Sequence, residues 1–241
     1  MRFRTTIIRK LLQLNEAVLF YPKLRKFYRN AISKSDVSII DVGANRGQSI
    51  AFFLKLFPKA HIYSFEPNAK LSDFLVKKYA GNPNITIDNS GVSNKIGRSQ
   101  FNENVLDETS TFEKLNADSA YLQKKAAILG VDAKDLIVDC YDVEVTTLSE
   151  FLRINPNGFF DILKIDVEGH EFECLEGLFF ENVNIPIRFI QIESHNDDMY
   201  VSGGRSKQIE ALLNANDFEQ IRAIKHGFGD FEEIIYENKK L

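Results

Sequence analysis

Ser38-Ile39-Ile40-Asp41-Val42-Gly43-Ala44-Asn45-Arg46-Gly47 is the stretch on which the fold turns. An apolar run of strand length stops at an acid, a glycine-bearing turn follows, and Gln48 to Phe57 reads as a helix. Strand, turn and helix in that order predict a nucleotide-binding α/β domain. Gly43 lets the backbone turn sharply and lets a ligand approach where a Cβ would stand. Gly47 permits close packing where the helix begins.

The spacing is Asp-x-Gly-x-x-x-Gly rather than Gly-x-Gly-x-x-Gly. A dinucleotide fingerprint sets bare backbone and a helix N-terminus against a pyrophosphate. Here the carboxylate of Asp41 ends the strand, and it would repel a phosphate. An amine-bearing or cationic ligand suits it better, and S-adenosylmethionine carries an ammonium and a sulfonium but no phosphate. The plain alternative is a βα turn without a ligand.

Working outward, Ala60 to Phe65 reads as a second strand ending in Phe65-Glu66-Pro67, with Glu66 nineteen residues beyond Gly47. An acid at that tip can accept hydrogen bonds from both hydroxyls of a ribose. Ala69 to Tyr79 reads as a helix, and Asn84 to Val92 and Arg98 to Asn102 as strands. The turn at Asp88, Asn89 and Ser90 is expected at an adenine edge. Residues 103–118 lack periodicity and read either as a lid or substrate loop or as a surface loop. A helix over 119–129 follows, then Leu136 to Thr146, then a helix from Thr147 to Leu152 opened by a capping box of Thr147 with Glu150.

Phe159 to Asp166 repeats the opening pattern: a buried strand ends in an acid, with Gly169 just beyond. Arg188 to Glu193 ends in Glu193-Ser194-His195, and residues two apart on a strand face the same way. Asp41, Glu66 and Asp166 at successive strand tips would line one crevice. Ser206 to Ala215 reads as a helix, and Phe218 to Lys225 with Phe231 to Glu237 as a terminal hairpin. Glu168 and His170 read as a helix-terminal acid and a surface residue; His61 and His226 carry no role.

The 241 residues suffice for one large α/β domain, at 44% hydrophobic and 27% charged. Cys140 and Cys174 lie far apart without a Cys-x-x-Cys pattern, so both read as reduced thiols and zinc is not expected. With no secretory pattern and no run of about 18 apolar residues, a cytoplasmic protein is expected. Residues 1–34 carry nine basic residues and one acid, giving +8, while the remainder carries −12. This divides the chain into a basic helical extension, 1–36, and a ligand-binding domain, 37–241. In the extension Ile7, Leu11, Leu14 and Val18 form a helical stripe over 5–20, Tyr21-Pro22 breaks it, and a second helix covers 23–33. The functional reading is a peripheral membrane or anionic-glycan arm. The favoured one is a pair of helices packed on their own domain.

Taken together, Asp41-Val-Gly-Ala-Asn-x-Gly47, Phe65-Glu66-Pro67, Leu163-Lys-Ile-Asp-Val-Glu-Gly169 with Glu171, and Ile192-Glu193-Ser194-His195 resemble the FkbM family of S-adenosylmethionine-dependent methyltransferases. The resemblance covers about residues 37–200, and its Lys-x-Asp-x-Glu-Gly element is the most specific. It implies a class I methyltransferase fold: a Rossmann-like three-layer α/β sandwich whose seven-stranded, mostly parallel sheet has its last strand antiparallel, in the order 3-2-1-4-5-7-6. It also implies methyl transfer to oxygen, commonly on a sugar hydroxyl. Asp41, Gly43 and Asn45, with Gly47, would hold the methionine end of the cofactor, Glu66 the ribose, and Asn89 and Ser90 the adenine. Asp166 would sit beside the reacting centre.

A sugar hydroxyl is a poor nucleophile near neutral pH, so a base is needed. His195, oriented by Glu193, is the first candidate and Asp166 the second. A divalent metal held by Asp166, Glu193 and His195 is the less favoured route. The expected partner is a small-molecule or glycan acceptor, with no nucleic acid. A nicotinamide-dependent oxidoreductase and a non-catalytic glycan- or partner-binding module are the competing classes. The first lacks both the dinucleotide fingerprint and a Tyr-x-x-x-Lys pair.

Overall fold

The structure, a computed structural model, describes residues 8, 11, 14–156, 158–181, 185–195, 198–203, 205–226 and 231–241; the side chain of His195 lies outside the described set. Its frame is a seven-stranded sheet built from β1 (Ser38–Val42), β2 (His61–Phe65), β3 (Ile85–Asp88), β7 (Phe160–Ile165), β8 (Ile187–His195), β9 (Phe218–Lys225) and β10 (Phe231–Asn238). The strands run in the order β3-β2-β1-β7-β8-β10-β9. β1 pairs parallel with both β2 and β7, while β10 lies antiparallel between β8 and β9. In sheet sequence that is 3-2-1-4-5-7-6, the class I methyltransferase order.

Strand alternation sorts the core into two layers. Ile39, Ile162, Phe189 and Ile235 face one side, with Ile50 and Phe53 of α2 (Gln48–Leu56) and Leu75 of α3 (Ala69–Tyr79). Ile40, Leu163, Ile190 and Tyr236 face the other, against α5 (Leu148–Ile154), α6 (Glu171–Phe179) and α7 (Ser206–Ala215). β7 is buried along its whole length, as a central parallel strand is, although it holds two charges. Each is paired: Asp161 takes the Ser38 N–H at 2.9 Å and the Lys34 ammonium at 2.8 Å, and Lys164 turns toward the strand tips.

The segment read as one strand over 84–92 divides into β3 and β4 (Gly91–Val92). β4, β5 (Gly97–Asn104) and β6 (Ile137–Thr146) form a separate three-stranded sheet, so the additional strands do not widen the main one. Helix α4 (Ala120–Leu129), capped by Ser119, lies within this insertion and packs with Leu106, Met199 and Tyr200. Thr147 caps α5 as expected, but Glu150 turns to Arg153 at 2.6 Å, so only half of the capping box forms.

The expected break at Tyr21-Pro22 is a change of helix type. A π-turn, Glu16–Phe20, runs straight into α1 (Tyr21–Ala31), with Pro22 in the first turn where a missing N–H costs little. Phe20, Leu24, Tyr28 and Ile32 are buried in the same core as β1. Of the stripe before them, Leu11, Leu14 and Val18 are 58%, 62% and 61% exposed and Ile7 lies outside the described residues, while the neighbouring Ile8 packs against the cluster of Leu106, Met199 and Tyr200.

Candidate active site

A cavity of about 510 Å³ opens at the C-terminal ends of β1, β2, β7 and β8, where the strand order reverses about β1. Gly43, Asn45, Glu66, Ser90, Asp166 and Glu193 all line it, so six of the residues singled out by sequence meet in one place.

The turn after β1 shows why its residues are what they are. Gly43 has φ 85°, and a Cβ there would lie 1.9 Å from the Asp166 carbonyl oxygen. The glycine is therefore required by the neighbouring strand end before any ligand arrives. Asn45 sits at φ 46° and donates its N–H to Glu66 Oε2 at 2.7 Å, while the Asn68 N–H takes Glu66 Oε1 at 2.8 Å. Two N–H donors fix the carboxylate in place, yet each oxygen keeps a lone pair for a ribose hydroxyl. Burial pushes the Glu66 pKa up to about 7, against the lowering effect of those two donors.

Three expected cofactor contacts fall elsewhere. Asp41 is wholly buried behind the wall, its Oδ2 accepting from Ser49 at 2.8 Å and Ser64 at 3.0 Å. Burial raises its pKa, opposed first by Lys164. It anchors the turn and the Lys164 ammonium rather than presenting itself to a ligand. Gly47 lies under Leu75 and Tyr79 of α3 and caps α2 at φ 78°, which is the close-packing role read from the sequence. Asn89 is exposed and spends its amide on the Glu66 and Pro67 carbonyls at 2.9 and 3.3 Å, shaping the turn that puts Ser90 on the wall.

Lys164 links the two halves of the site. Its ammonium is 2.9 Å from Asp166 Oδ2 and 3.8 Å from Asp41 Oδ1. Burial disfavours its charge, but the carboxylates of Asp166, Asp41 and Glu233 outweigh that and raise its pKa. A buried ammonium without them would cost several kcal/mol. The i, i+2 spacing of Lys164 near the end of β7 and Asp166 just beyond it was the sequence signal for this pair.

The far end of the cavity holds residues that sequence reasoning passed over. Glu233 of β10 stands directly across from Glu193 of β8. Tyr28 donates to Gln191 at 2.7 Å, and Gln191 donates to Glu233 Oε2 at 2.9 Å. His226 stacks on Phe20 at 4.0 Å and lines the cavity with Glu16. Burial opposes a charge on His226, but Glu233, then Glu193 and Glu16, outweigh it and raise its pKa. An acid at a core-facing strand position, as at Glu233, was the available signal. His195 pairs through its backbone with Phe231, and its side chain lies outside the described residues. His170 is buried, not superficial: its ring meets Glu113 at 2.8 Å and Ser93 at 3.0 Å. Glu168 is no helix acid either. It sits at φ 55° before α6, and its carboxylate accepts from Tyr200 at 2.8 Å.

The wall fits S-adenosylmethionine. Glu66 offers paired acceptors for a ribose, and Val92, Phe101, Leu106 and Phe112 offer an apolar slot beside Ser90 for a purine. The lining carries more carboxylates than ammonium groups, which suits a ligand with two cationic groups.

The Methyltransferase FkbM domain family matches residues 41–229. The chain is 29% identical over 202 residues to Methyltransferase sdnD of Sordaria araneosa, covering 78% of this chain and 76% of that one. Among solved structures, a SAM dependent methyltransferase from Aquifex aeolicus aligns at 12% identity and TM-score 0.49, covering 97% of this chain and 98% of that one. M. capricolum TrmK in complex with S-adenosyl-homocysteine aligns at 9% identity and TM-score 0.47, covering 95% and 67%. A family match of that extent, on a sheet of this order, sets the nicotinamide alternative aside: the chain belongs to the FkbM methyltransferase family and is an S-adenosylmethionine-dependent methyltransferase.

Proposed function

We propose that the chain methylates a hydroxyl oxygen, on a sugar of a glycan or glycosylated metabolite. The observation that supports this is the make-up of the cavity lining. Asp166, Glu168 and Glu193 bring carboxylate oxygens within 4.8 Å of one another, and the aromatic side chains of Phe20, Tyr21, Phe52 and Phe231 line the same cavity. Carboxylates next to apolar ring faces match the alternating hydroxyls and C–H faces of a sugar. Bound S-adenosylmethionine supplies an electrophilic methyl group on sulfur. The chain orients the acceptor oxygen in line with it and removes the hydroxyl proton. Asp166, its Oδ2 2.9 Å from the Lys164 ammonium, takes that proton, and Glu193 accepts from a neighbouring hydroxyl. Asp166→Asn is expected to lower kcat by roughly 10²- to 10⁴-fold, with S-adenosylhomocysteine affinity little changed. Mass spectrometry of a panel of sugar acceptors checks it. Unaltered turnover in that variant, or a methyl found on nitrogen or carbon, would refute the reading.

The exposed face of Leu11, Leu14 and Val18 supports a second element, contact of the basic N-terminal helix with an anionic lipid surface. Among the described residues no helix is long and apolar enough to cross a membrane. Deleting residues 1–34 would remove the buried Leu24 and Tyr28 along with the stripe, so the clean test is Leu11→Glu with Leu14→Glu. Sedimentation with phosphatidylserine vesicles is expected for the wild type and lost in the double variant. Equal partitioning would end the idea.

A further inference from the structure

We propose that Glu193, His226 and Glu233 hold a divalent cation, of the Mn²⁺ or Zn²⁺ class, at the acceptor end of the cavity. The site stands on geometry, while its use in catalysis rests on the hydroxyl-acceptor reading above.

One ligand atom from each of the three residues lies within 4.8 Å of the others. His226 Nε2 is 3.8 Å from Glu233 Oε1, too long for a hydrogen bond. Two ligands on one ion, each about 2.1 Å from it, stand roughly 3–4 Å apart. The imidazole itself is the second observation. Its side chain is only 6% exposed, and among the described residues neither ring nitrogen has a hydrogen-bond partner. Leaving a buried polar group unmatched costs about 1–3 kcal/mol, so such a ring calls for a ligand. Phe20 at 4.0 Å and Phe231 at 4.6 Å hold it in place.

The charges point the same way. Glu193 and Glu233 oppose each other across two strands, an arrangement that like charges disfavour. Two carboxylates and one imidazole are a mixed hard and borderline set, which suits Mn²⁺ or Zn²⁺ better than Ca²⁺. A second cluster shows the contrast. Glu113, His170 and Glu173 also converge, but both ring nitrogens of His170 are hydrogen-bonded and Glu173 pairs with Arg205.

The three ligands leave coordination positions open toward the cavity, where an acceptor hydroxyl can bind. The cation then lowers the hydroxyl pKa. The O–H proton passes to Asp166, whose carboxylate belongs to the adjoining cluster with Glu193. The O–CH₃ bond forms as the S–CH₃ bond breaks, and nothing is oxidised or reduced.

The test is Mn²⁺ binding to chelator-stripped protein, followed by the electron paramagnetic resonance of free Mn²⁺. One tight site is expected, weakened roughly tenfold or more in His226→Ala and in Glu233→Gln. It should be unchanged in Glu113→Gln, at the hydrogen-bonded cluster. Anomalous scattering from Mn²⁺-soaked wild-type crystals locates the ion without any variant. A peak at Glu193, His226 and Glu233 supports the proposal; no peak there, or binding indifferent to both variants, overturns it. A protein that binds Mn²⁺ at these ligands yet methylates no hydroxyl in its presence keeps the site and refutes the acceptor reading.

Discussion

The two ends of the cavity are built on different terms. At the β1–β2 end, Glu66 receives N–H groups from Asn45 and Asn68, and the chain's own turns complete the site before a ligand enters. At the β8–β10 end, Glu193 faces Glu233, and the His226 ring lacks hydrogen-bond partners among the described residues. The first end is preorganised for a ligand whose shape does not vary. On the cation-site proposal, the second is completed by what binds there. Preorganised donors cost nothing to arrange at the moment of binding, whereas unmatched buried groups store a cost that a ligand relieves.

The sharpest way to break this contrast is at Gly43. A methyl group there meets the Asp166 carbonyl at 1.9 Å with φ at 85°. Gly43→Ala is expected to cost about 3 kcal/mol or more and to abolish S-adenosylhomocysteine binding. Urea denaturation and calorimetry read the two effects. A stable variant with normal binding would mean that the strand ends are not locked as described.

The preorganised end also has a pH signature. Burial pushes the Glu66 pKa up to about 7, and holding both ribose hydroxyls would require its carboxylate form. S-adenosylhomocysteine affinity should therefore fall as pH drops below 7, by up to about tenfold per pH unit, and be flat above it. Glu66→Gln should bind weakly with no such slope. The ligand-free protein should show the reverse sign. A carboxyl whose folded pKa is raised favours the protonated form, so stability contributed by Glu66 is lost as pH rises from the ordinary carboxylate range through 7. Titrations at a series of pH values check both directions.

A smaller effect is expected where the N-terminal helix reaches the β8–β10 end, the proposed acceptor end. Tyr28 donates to Gln191, which donates to Glu233. Tyr28→Phe should destabilise by about 1 kcal/mol and raise the acceptor KM while leaving cofactor affinity alone. A change in cofactor affinity instead would erase the distinction between the two ends.

The same distinction explains what the sequence made legible. The β1 and β2 tips, Gly43, Glu66 and the β7 tip at Asp166 are local events, each a strand, an acid and a turn within a few residues. The β8–β10 end is assembled from Phe20, Glu193, His226 and Glu233, which only the tertiary fold brings together. Asp41 illustrates a subtler limit. Its place at the strand end was legible, but whether its carboxylate faced the ligand or Ser49 and Ser64 depended on the neighbouring strand. Likewise the periodicity of Leu11, Leu14 and Val18 marked a helix without saying which side its apolar face would meet. The three-stranded sheet of β4, β5 and β6 was visible as strands, but its separation from the main sheet lay in their partners.

The most direct test is calorimetric titration of the wild type and Glu66→Ala with S-adenosylhomocysteine and, separately, with NAD. Binding of S-adenosylhomocysteine alone is predicted, weakened roughly a hundredfold in Glu66→Ala by the loss of two charge-assisted hydrogen bonds to the ribose. Binding of NAD, or S-adenosylhomocysteine affinity untouched by Glu66→Ala, would contradict it.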